Sequence, residues 1–463
     1  MKSRKRSSSG KIKNFKLKIL SFLPLYSLLI TSFFLRLISL NQSFWLDEAI
    51  SANVIRNYSF LNIITVFSPQ DFHPPLFYLL LKAWSLIFGT GVFGLRLFSV
   101  TVSVLAGLFV YKTAKLLFGS KSTLWSAALF LFNPLFVYYS QELRMYSLVT
   151  LFLTISTYYF VAILKSKIIN LKSILLFNLF TFLSFLTFYG SVFYIFSLYF
   201  LLFIQKKYKL LFQLLPGFIS SFLLLSPLLY RQIFLSKTLL ANVANWSLVL
   251  GKSNLKNLLL IPLKFTFGRI SFYPKSIYYL LSGFWSVFIF FKIFISYSVR
   301  NAYMRSLQFL LFFPLFLAFL ISFKLPMLQY FRYLYLLPIF SILLSVSKLK
   351  PIILSGFIIL SLIYLLNPTF HREDWQSLAN SLPQDATIYM IPSFADPLNY
   401  YRPDIKISDI RTIELENYST KELIVVPYGF DIFGFNHTDF LSSKNLSHFN
   451  TQNFHQISFE TWK

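Results

Sequence analysis

Long apolar runs separated by short polar clusters organise this chain. The runs fall near 17–40, 94–118, 122–139, 142–164, 171–188, 190–204, 209–229, 276–297, 306–323, 331–347 and 351–367. A helix needs about 20 apolar residues to cross a bilayer, so these predict about 11 transmembrane helices. The run "HPPLFYLLLKAWSLIFG" at 73–89 differs. At about 15 residues it is short for a span, and Lys82 interrupts it, so it reads as an interfacial or re-entrant segment. Between 41 and 93, Leu46, Ile50 and Val54 recur at i, i+4 and i+8, with Asn53, Arg56 and Asn57 facing away. That spacing predicts an amphipathic helix beginning at Asp47. After 367 the pattern turns polar. "DWQSLANSLPQDATIYMIPSFADPLNYYRPD" opens like a helix and reaches the strand-like run "ATIYMI", and "KELIVVPYGF" is a second strand candidate. Three parts follow: a basic tail over 1–16, a helical membrane domain over 17–367 and a small α/β domain over 368–463.

Composition agrees. The chain is 56% hydrophobic with mean hydropathy +0.63, above the roughly 45–50% apolar content of soluble domains. The fold class is therefore an all-α polytopic membrane protein with a small α/β domain at its C-terminus. The net charge of +27 does not point to nucleic acid, because the bases sit in short clusters between apolar runs. Lys165/Lys167/Lys172, Lys206/Lys207/Lys209, Arg300/Arg305 and Lys348/Lys350 all fall on one side if 73–89 does not cross. The positive-inside rule makes that side cytoplasmic. The expected topology is N-terminus inside and C-terminal domain outside, in the cytoplasmic membrane. Counting 73–89 as a span would put every later cluster outside. The basic start, "MKSRKRSSSGKIKNFKLK", reads as a cytosolic tail before a signal anchor. The loop 230–275 carries bases against the trend; either its length exempts it or the bases serve an anionic lipid. With no cysteine, disulfides and thiolate metal sites are excluded.

Only 16 acids occur in the chain, and two of them, Asp47 and Glu48, are adjacent in the first outer loop in "SFWLDEAIS". Asp47 can be a helix N-cap and Glu48 a first-turn acid favoured by the helix dipole. A rigidly held carboxylate also suits catalysis. In "DFHPPLFYLL", His73 precedes a Pro-initiated helix, as a plain surface residue or a ligand contact. "NPLFVYYSQELRMYSL" places Glu142 and Arg144 at the outer end of a span. Arg144 opposes the local dipole; it can snorkel, pair with Glu142 or bind phosphate. Snorkelling suffices for Arg36 and Arg96. "FKLPMLQYFRYLYLLP" sets Lys324 outside and Arg332 just within its span, beside Tyr333. That is an interfacial belt or a site for a lipid phosphate.

The order of "FWLDEA", "DFHPPLFY", "GLRLFSV", "NPLFVYYSQELRMYSL", "YFRYLYLLP" and "REDWQSLA" resembles the polyprenyl-phosphate-sugar-dependent glycosyltransferases of GT-C fold, the protein O-mannosyltransferase-like and aminoarabinose-transferase-like enzymes. The likeness covers about residues 20–380 and is strongest over 40–150. It implies sugar transfer from a polyprenyl-phosphate donor to a hydroxyl of a glycan, lipid or protein acceptor at the outer face. Asp47 would be the general base and Glu48 its orienting partner. His73, Glu142, Arg144, Lys324, Arg332 and Tyr333 would bind substrate. No cofactor is implied, and dependence on a divalent metal is left open. Two departures bear on this. Phe188 and Tyr189 stand where many relatives carry a His, and the β-trefoil of larger relatives is absent, which weighs against protein hydroxyls as acceptors. The competing classes are a transporter or lipid flippase, which should show mid-bilayer ionisable residues and repeated halves, and a pseudoenzyme that scaffolds an outer assembly.

Overall fold

A computed structural model describes residues 23–119, 122–166, 168, 170–295, 302–413 and 422–463. The basic tail 1–16 lies outside the described residues. Among the described residues the expected runs are largely helical. Five helices among the described residues are long and apolar enough to cross a membrane: Val92–Phe118, Tyr146–Lys165, Pro216–Leu239, Lys275–Phe294 and Ala302–Ile321. Six more apolar stretches are shorter, among them Leu23–Leu35, Leu76–Phe88 and Lys350–Leu366.

Tyr146–Lys165 is the central helix, packed between Val92–Phe118 and Leu171–Thr187. Its small hydroxyl residues allow this: Thr150, Thr154 and Thr157 turn their hydroxyls back onto carbonyls one turn earlier, so these three are satisfied within the helix. The outer helices expose large apolar side chains such as Phe222, Phe234, Phe284 and Phe316. So much contiguous apolar surface is untenable in water and ordinary against lipid.

The expected span 122–139 is two helices, Thr123–Leu131 and Pro134–Ser140. Asn133-Pro134 causes the break. The Asn133 side chain accepts from the backbone N–H of Leu135 and Phe136, and Pro134 starts the new helix without an N–H to satisfy. The carbonyl of Leu131, freed by the break, accepts from Arg36 at 2.7 Å. Arg36 is thus fully buried, with further bonds to Ser140 and Ser32. It does not snorkel.

The segment 230–275 is mostly helix rather than loop. Pro216–Asn242 runs well past 229, and Leu255–Phe267 packs against Pro134–Ser140 and Lys275–Ile295. The 73–89 run is the 13-residue helix Leu76–Phe88, ended by Gly89 at φ +75°.

The C-terminal domain holds a five-stranded sheet: β1 Thr387–Met390, β2 Lys406–Asp409, β3 Leu423–Val425, β4 His448–Phe454 and β5 Ile457–Trp462, in the order β2-β1-β3-β5-β4. β1 runs parallel to β2 and β3, while β5 is antiparallel to β3 and β4. Trp375, Leu378, Ile388, Met390, Val425 and Trp462 form its core. The helix Asp396–Tyr401, which follows β1, packs on the helix Leu46–Asn57. Asn53 donates to Asp396, Arg56 to the Tyr400 carbonyl and Phe44 N–H to the Tyr401 hydroxyl. The sheet domain therefore sits over the end of the bundle that carries Asp47.

Candidate active site

The helix Leu46–Asn57 places its two acids in opposite environments. It starts one residue before Asp47, with Trp45 at the cap position and no side-chain cap, so Asp47 lies in the first turn and is not the N-cap. The residues buried are Glu48, Ala49, Ser51, Ala52, Val54 and Ile55, because the bundle lies on one side of the helix and the sheet domain on the other. Glu48 is completely buried. Arg96 meets it two-pronged, Nε to Oε1 at 2.8 Å and Nη2 to Oε2 at 2.6 Å. The remaining Arg96 donors reach the carbonyls of Leu40, Gln42 and Ser43. The N–H of Leu143 donates to Glu48 Oε1 at 2.7 Å. Arg96 is therefore a buried clamp and not a snorkelling residue. Glu48 is the pin that joins the first loop, the helix Val92–Phe118 and the turn at 140–145.

Asp47 is about one-third exposed, and its carboxylate lies 3.6 Å from Arg144 Nη2. The Asp47 carbonyl accepts from Arg144 Nη1 at 3.3 Å. Arg144 Nη2 faces His73 Nε2 at 3.4 Å, and His73 Nδ1 faces Asp71 at 3.2 Å. Tyr78 donates to Asp71 at 3.0 Å. Burial pushes the Asp71 carboxyl up, but the charge and hydrogen bond of His73, the Phe72 backbone and the Arg144 charge outweigh it and hold it below the usual range. The row Tyr78–Asp71–His73–Arg144–Asp47 thus brings three predicted residues together and adds two that sequence reasoning missed. Asp71 stood in a quoted motif, and its spacing of two from His73 was the available signal. The loop holding His73 is itself fastened: Gln232 donates to the carbonyls of Ser68 and His73 and accepts from Tyr189, the residue of the 188–189 turn.

Glu142 does not pair with Arg144. It takes Arg372, at 2.6 Å, from the segment that enters the sheet domain. The Arg372 guanidinium stacks 3.8 Å above the Trp45 ring. Arg332 is half-buried on the short helix Tyr330–Leu336 and makes no ion pair among the described residues. Phe331, next to Arg332, packs its ring 5.5 Å from Tyr146 and 5.9 Å from Tyr139, which sets this short helix beside the turn that carries Arg144. The Tyr333 hydroxyl is used on the Met327 carbonyl at 3.0 Å, and Lys324 is exposed with no bond to the cluster. Arg269, from the segment read as a loop, donates to Tyr330 at 2.7 Å over the Tyr138 ring and likewise has no acid partner among the described residues. Several buried atoms lack a partner here, among them Arg144 Nε, a donor, and Glu142 Oε2, an acceptor. Buried polar atoms are rarely left so unless a ligand or water meets them. Among the described residues no group of three or more His, Asp or Glu side chains is arranged to hold a metal ion.

The fold is a helical bundle with an acid–base cluster at one end, capped there by a small α/β domain. Residues 72–231 match the family model described as dolichyl-phosphate-mannose-protein mannosyltransferase. The fold is similar to ArnT from Cupriavidus metallidurans in the apo state, with TM-score 0.58 and 11% identity over 98% of each chain. It is equally similar to that protein bound to undecaprenyl phosphate, with TM-score 0.59 and 11% identity over 96% of this chain and 98% of the other. The archaeal oligosaccharyltransferase AglB from Archaeoglobus fulgidus, in complex with an inhibitory peptide and a dolichol-phosphate, gives TM-score 0.51 and 12% identity over 88% of this chain and 69% of that one. No functionally curated protein matches the sequence. The resemblance read from the motifs, to the polyprenyl-phosphate-dependent glycosyltransferases of GT-C fold, therefore stands.

Proposed function

We propose that this protein transfers a sugar from a polyprenyl-phosphate donor to an acceptor hydroxyl at the outer face of the membrane, with about 11 spans and the C-terminal domain outside. The observation that carries this is the pairing of one accessible carboxylate, Asp47, with cations that lack acid partners around it. Of the four acids in the cluster, Glu48 and Glu142 are sealed in ion pairs and Asp71 is spent on His73 and Tyr78. Asp47 alone is open enough to reach a substrate. Arg332 and Arg269 are free to take phosphate oxygens, and the unpartnered Nε of Arg144 is a further donor. That two structural neighbours hold undecaprenyl phosphate and dolichol-phosphate supports a polyprenyl phosphate as the lipid.

In this reading the acceptor oxygen attacks the anomeric carbon and Asp47 takes its proton. The bond from the anomeric carbon to the phosphate oxygen breaks, and the electron pair leaves on the lipid phosphate. Cations placed where that charge develops stabilise the transition state. His73, held by Asp71 and Gln232, keeps Arg144 aimed at Asp47. A transporter remains the competing class, but the ionisable cluster lies at one end of the bundle, where a lipid-linked sugar would be presented.

The test is single-turnover transfer from a defined labelled polyprenyl-phosphate sugar. General-base catalysis contributes about 10²–10⁴-fold, so Asp47→Asn should slow turnover at least about a hundredfold while donor binding persists. Arg332→Ala should weaken donor binding, and Arg332→Lys should recover it only in part, because lysine restores the charge without the fork. Near-normal transfer by Asp47→Asn would remove Asp47 from the mechanism.

A further inference from the structure

The sheet domain turns the loop after β3 toward this cluster, through Tyr428, Glu373 and Arg372. β1 lies between two parallel neighbours. The chain leaves β1 to form β2 on one side and returns to form β3 on the other. In open α/β sheets the crevice outside the carboxyl ends of strands at such a switch point is where ligands bind. Here the crevice lies between the loop after β1, with Phe394, and the loop after β3, "VPYGF", with Tyr428. The two rings meet edge to face at 5.8 Å. Gly429 permits this: its φ is +75°, and a Cβ there would come within 2.3 Å of the Phe394 ring.

The crevice opens toward the bundle. Tyr428 donates to Glu373 Oε1 at 3.3 Å. Glu373 follows Arg372, which reaches across to Glu142 and covers Trp45. The other carboxylate oxygen, Glu373 Oε2, is buried and has no partner, and the same holds for Trp45 Nε1. Burial first, then the Glu373 carboxylate, against the opposing Arg372 charge and with Asp47 adding, push the Tyr428 phenol far up, so it stays a donor. A free carboxylate oxygen, a free indole N–H and an aromatic wall together suit a ligand that both donates and accepts hydrogen bonds. Phosphate fails this test, because it cannot donate to Glu373 when ionised. A polyhydroxyl group passes it, since each hydroxyl does both.

We infer that Glu373, Tyr428 and Trp45 form the acceptor subsite and that it takes a carbohydrate or polyol group, one hydroxyl of which is presented to Asp47. This rests on the transferase reading above and supplies its acceptor side. The atoms balance as in that step: the bound hydroxyl forms the new bond to the anomeric carbon, its proton passes to Asp47, and the lipid phosphate leaves with the electron pair.

The experiment measures two rates with one labelled polyprenyl-phosphate sugar: its hydrolysis to water, and its transfer to a panel of p-nitrophenyl hexosides as acceptor probes. In Glu373→Gln and Tyr428→Phe the KM for the best hexoside should rise about tenfold or more, the equivalent of losing about 1.4 kcal/mol of binding. Donor KM should not rise with it, which separates lost acceptor binding from a general loss of the site. An unchanged hexoside KM in both variants overturns the subsite. So does an unmodified protein that hydrolyses the donor yet transfers to no member of the panel. An unmodified protein that neither hydrolyses nor transfers the donor overturns the transferase reading itself, and the subsite with it.

Discussion

Asp47 and Glu48 are neighbours in the chain with opposite fates. On a helix, adjacent residues point about 100° apart. Here one direction leads to Arg144 and the opening, and the other to Arg96 in the core. The chemistry of the two positions is therefore separable. Glu48→Gln leaves the Arg96 guanidinium buried without its counter-charge, and breaking such a pair typically costs about 3–5 kcal/mol. The expected outcome is a large fall in the thermal midpoint in detergent, in contrast to Asp47→Asn, which should unfold near the unmodified protein. Replacing both partners by apolar residues, Glu48→Leu with Arg96→Met, should recover part of the loss, because an apolar pair avoids the desolvation penalty. A double variant no more stable than Glu48→Gln alone would show that the three Arg96 bonds to the Leu40, Gln42 and Ser43 carbonyls, and not the charge pair, carry the effect.

At the scale of elements, the break at Asn133-Pro134 matters most. It turns one expected span into two helices and aims Pro134–Ser140 so that Gln141, Glu142 and Arg144 follow it at the cluster. Asn133 holds the break three ways: it caps Leu135 and Phe136, and its amide donates to the Phe265 carbonyl at 2.8 Å. Losing an N-cap costs about 0.5–2 kcal/mol. Asn133→Ala should lower the thermal midpoint accordingly and also reduce transfer, since Glu142 and Arg144 hang from this helix. Asn133→Asp keeps the cap and loses the bond to Phe265, so it should fall between the two. Equal stability of the alanine variant and the unmodified protein would mean that Pro134 and Arg36 suffice to fix the break.

At the scale of the whole molecule, the sheet domain and the bundle share one seam. Arg372–Glu142, Asn53–Asp396 and the contact of Asn245 N–H with the Ile432 carbonyl hold it at separate points. The proposed topology would place this seam outside the cell. The chain has no cysteine, so single cysteines report sidedness cleanly. Asn57→Cys, Ser393→Cys and Ser443→Cys, all exposed positions, should react with an impermeant maleimide added to intact cells. Ser166→Cys, exposed at the opposite end, should react only after permeabilisation. Outside labelling at Ser166 with protection at Ser393 would invert the topology and with it the re-entrant reading of 73–89.

The apolar runs by themselves determined the helical class, the approximate helix positions and the place where a different domain begins. Burial from lipid or water acts on every residue of a run, so the signal survives without knowledge of neighbours. Motif order likewise pointed to Asp47, His73, Arg144 and Arg332, because these stand at helix ends where polar residues are conspicuous. Partnership was left to the tertiary structure. Arg36 and Arg96 looked like snorkelling residues because their acceptors, the Leu131 carbonyl and Glu48, are distant in the chain. Glu142 looked like a partner for Arg144 two residues away, yet it pairs with Arg372 across 230 residues. Arg269 was hidden in a segment whose bases disguised its helices. An ion pair depends on which helix ends meet, and only packing decides that.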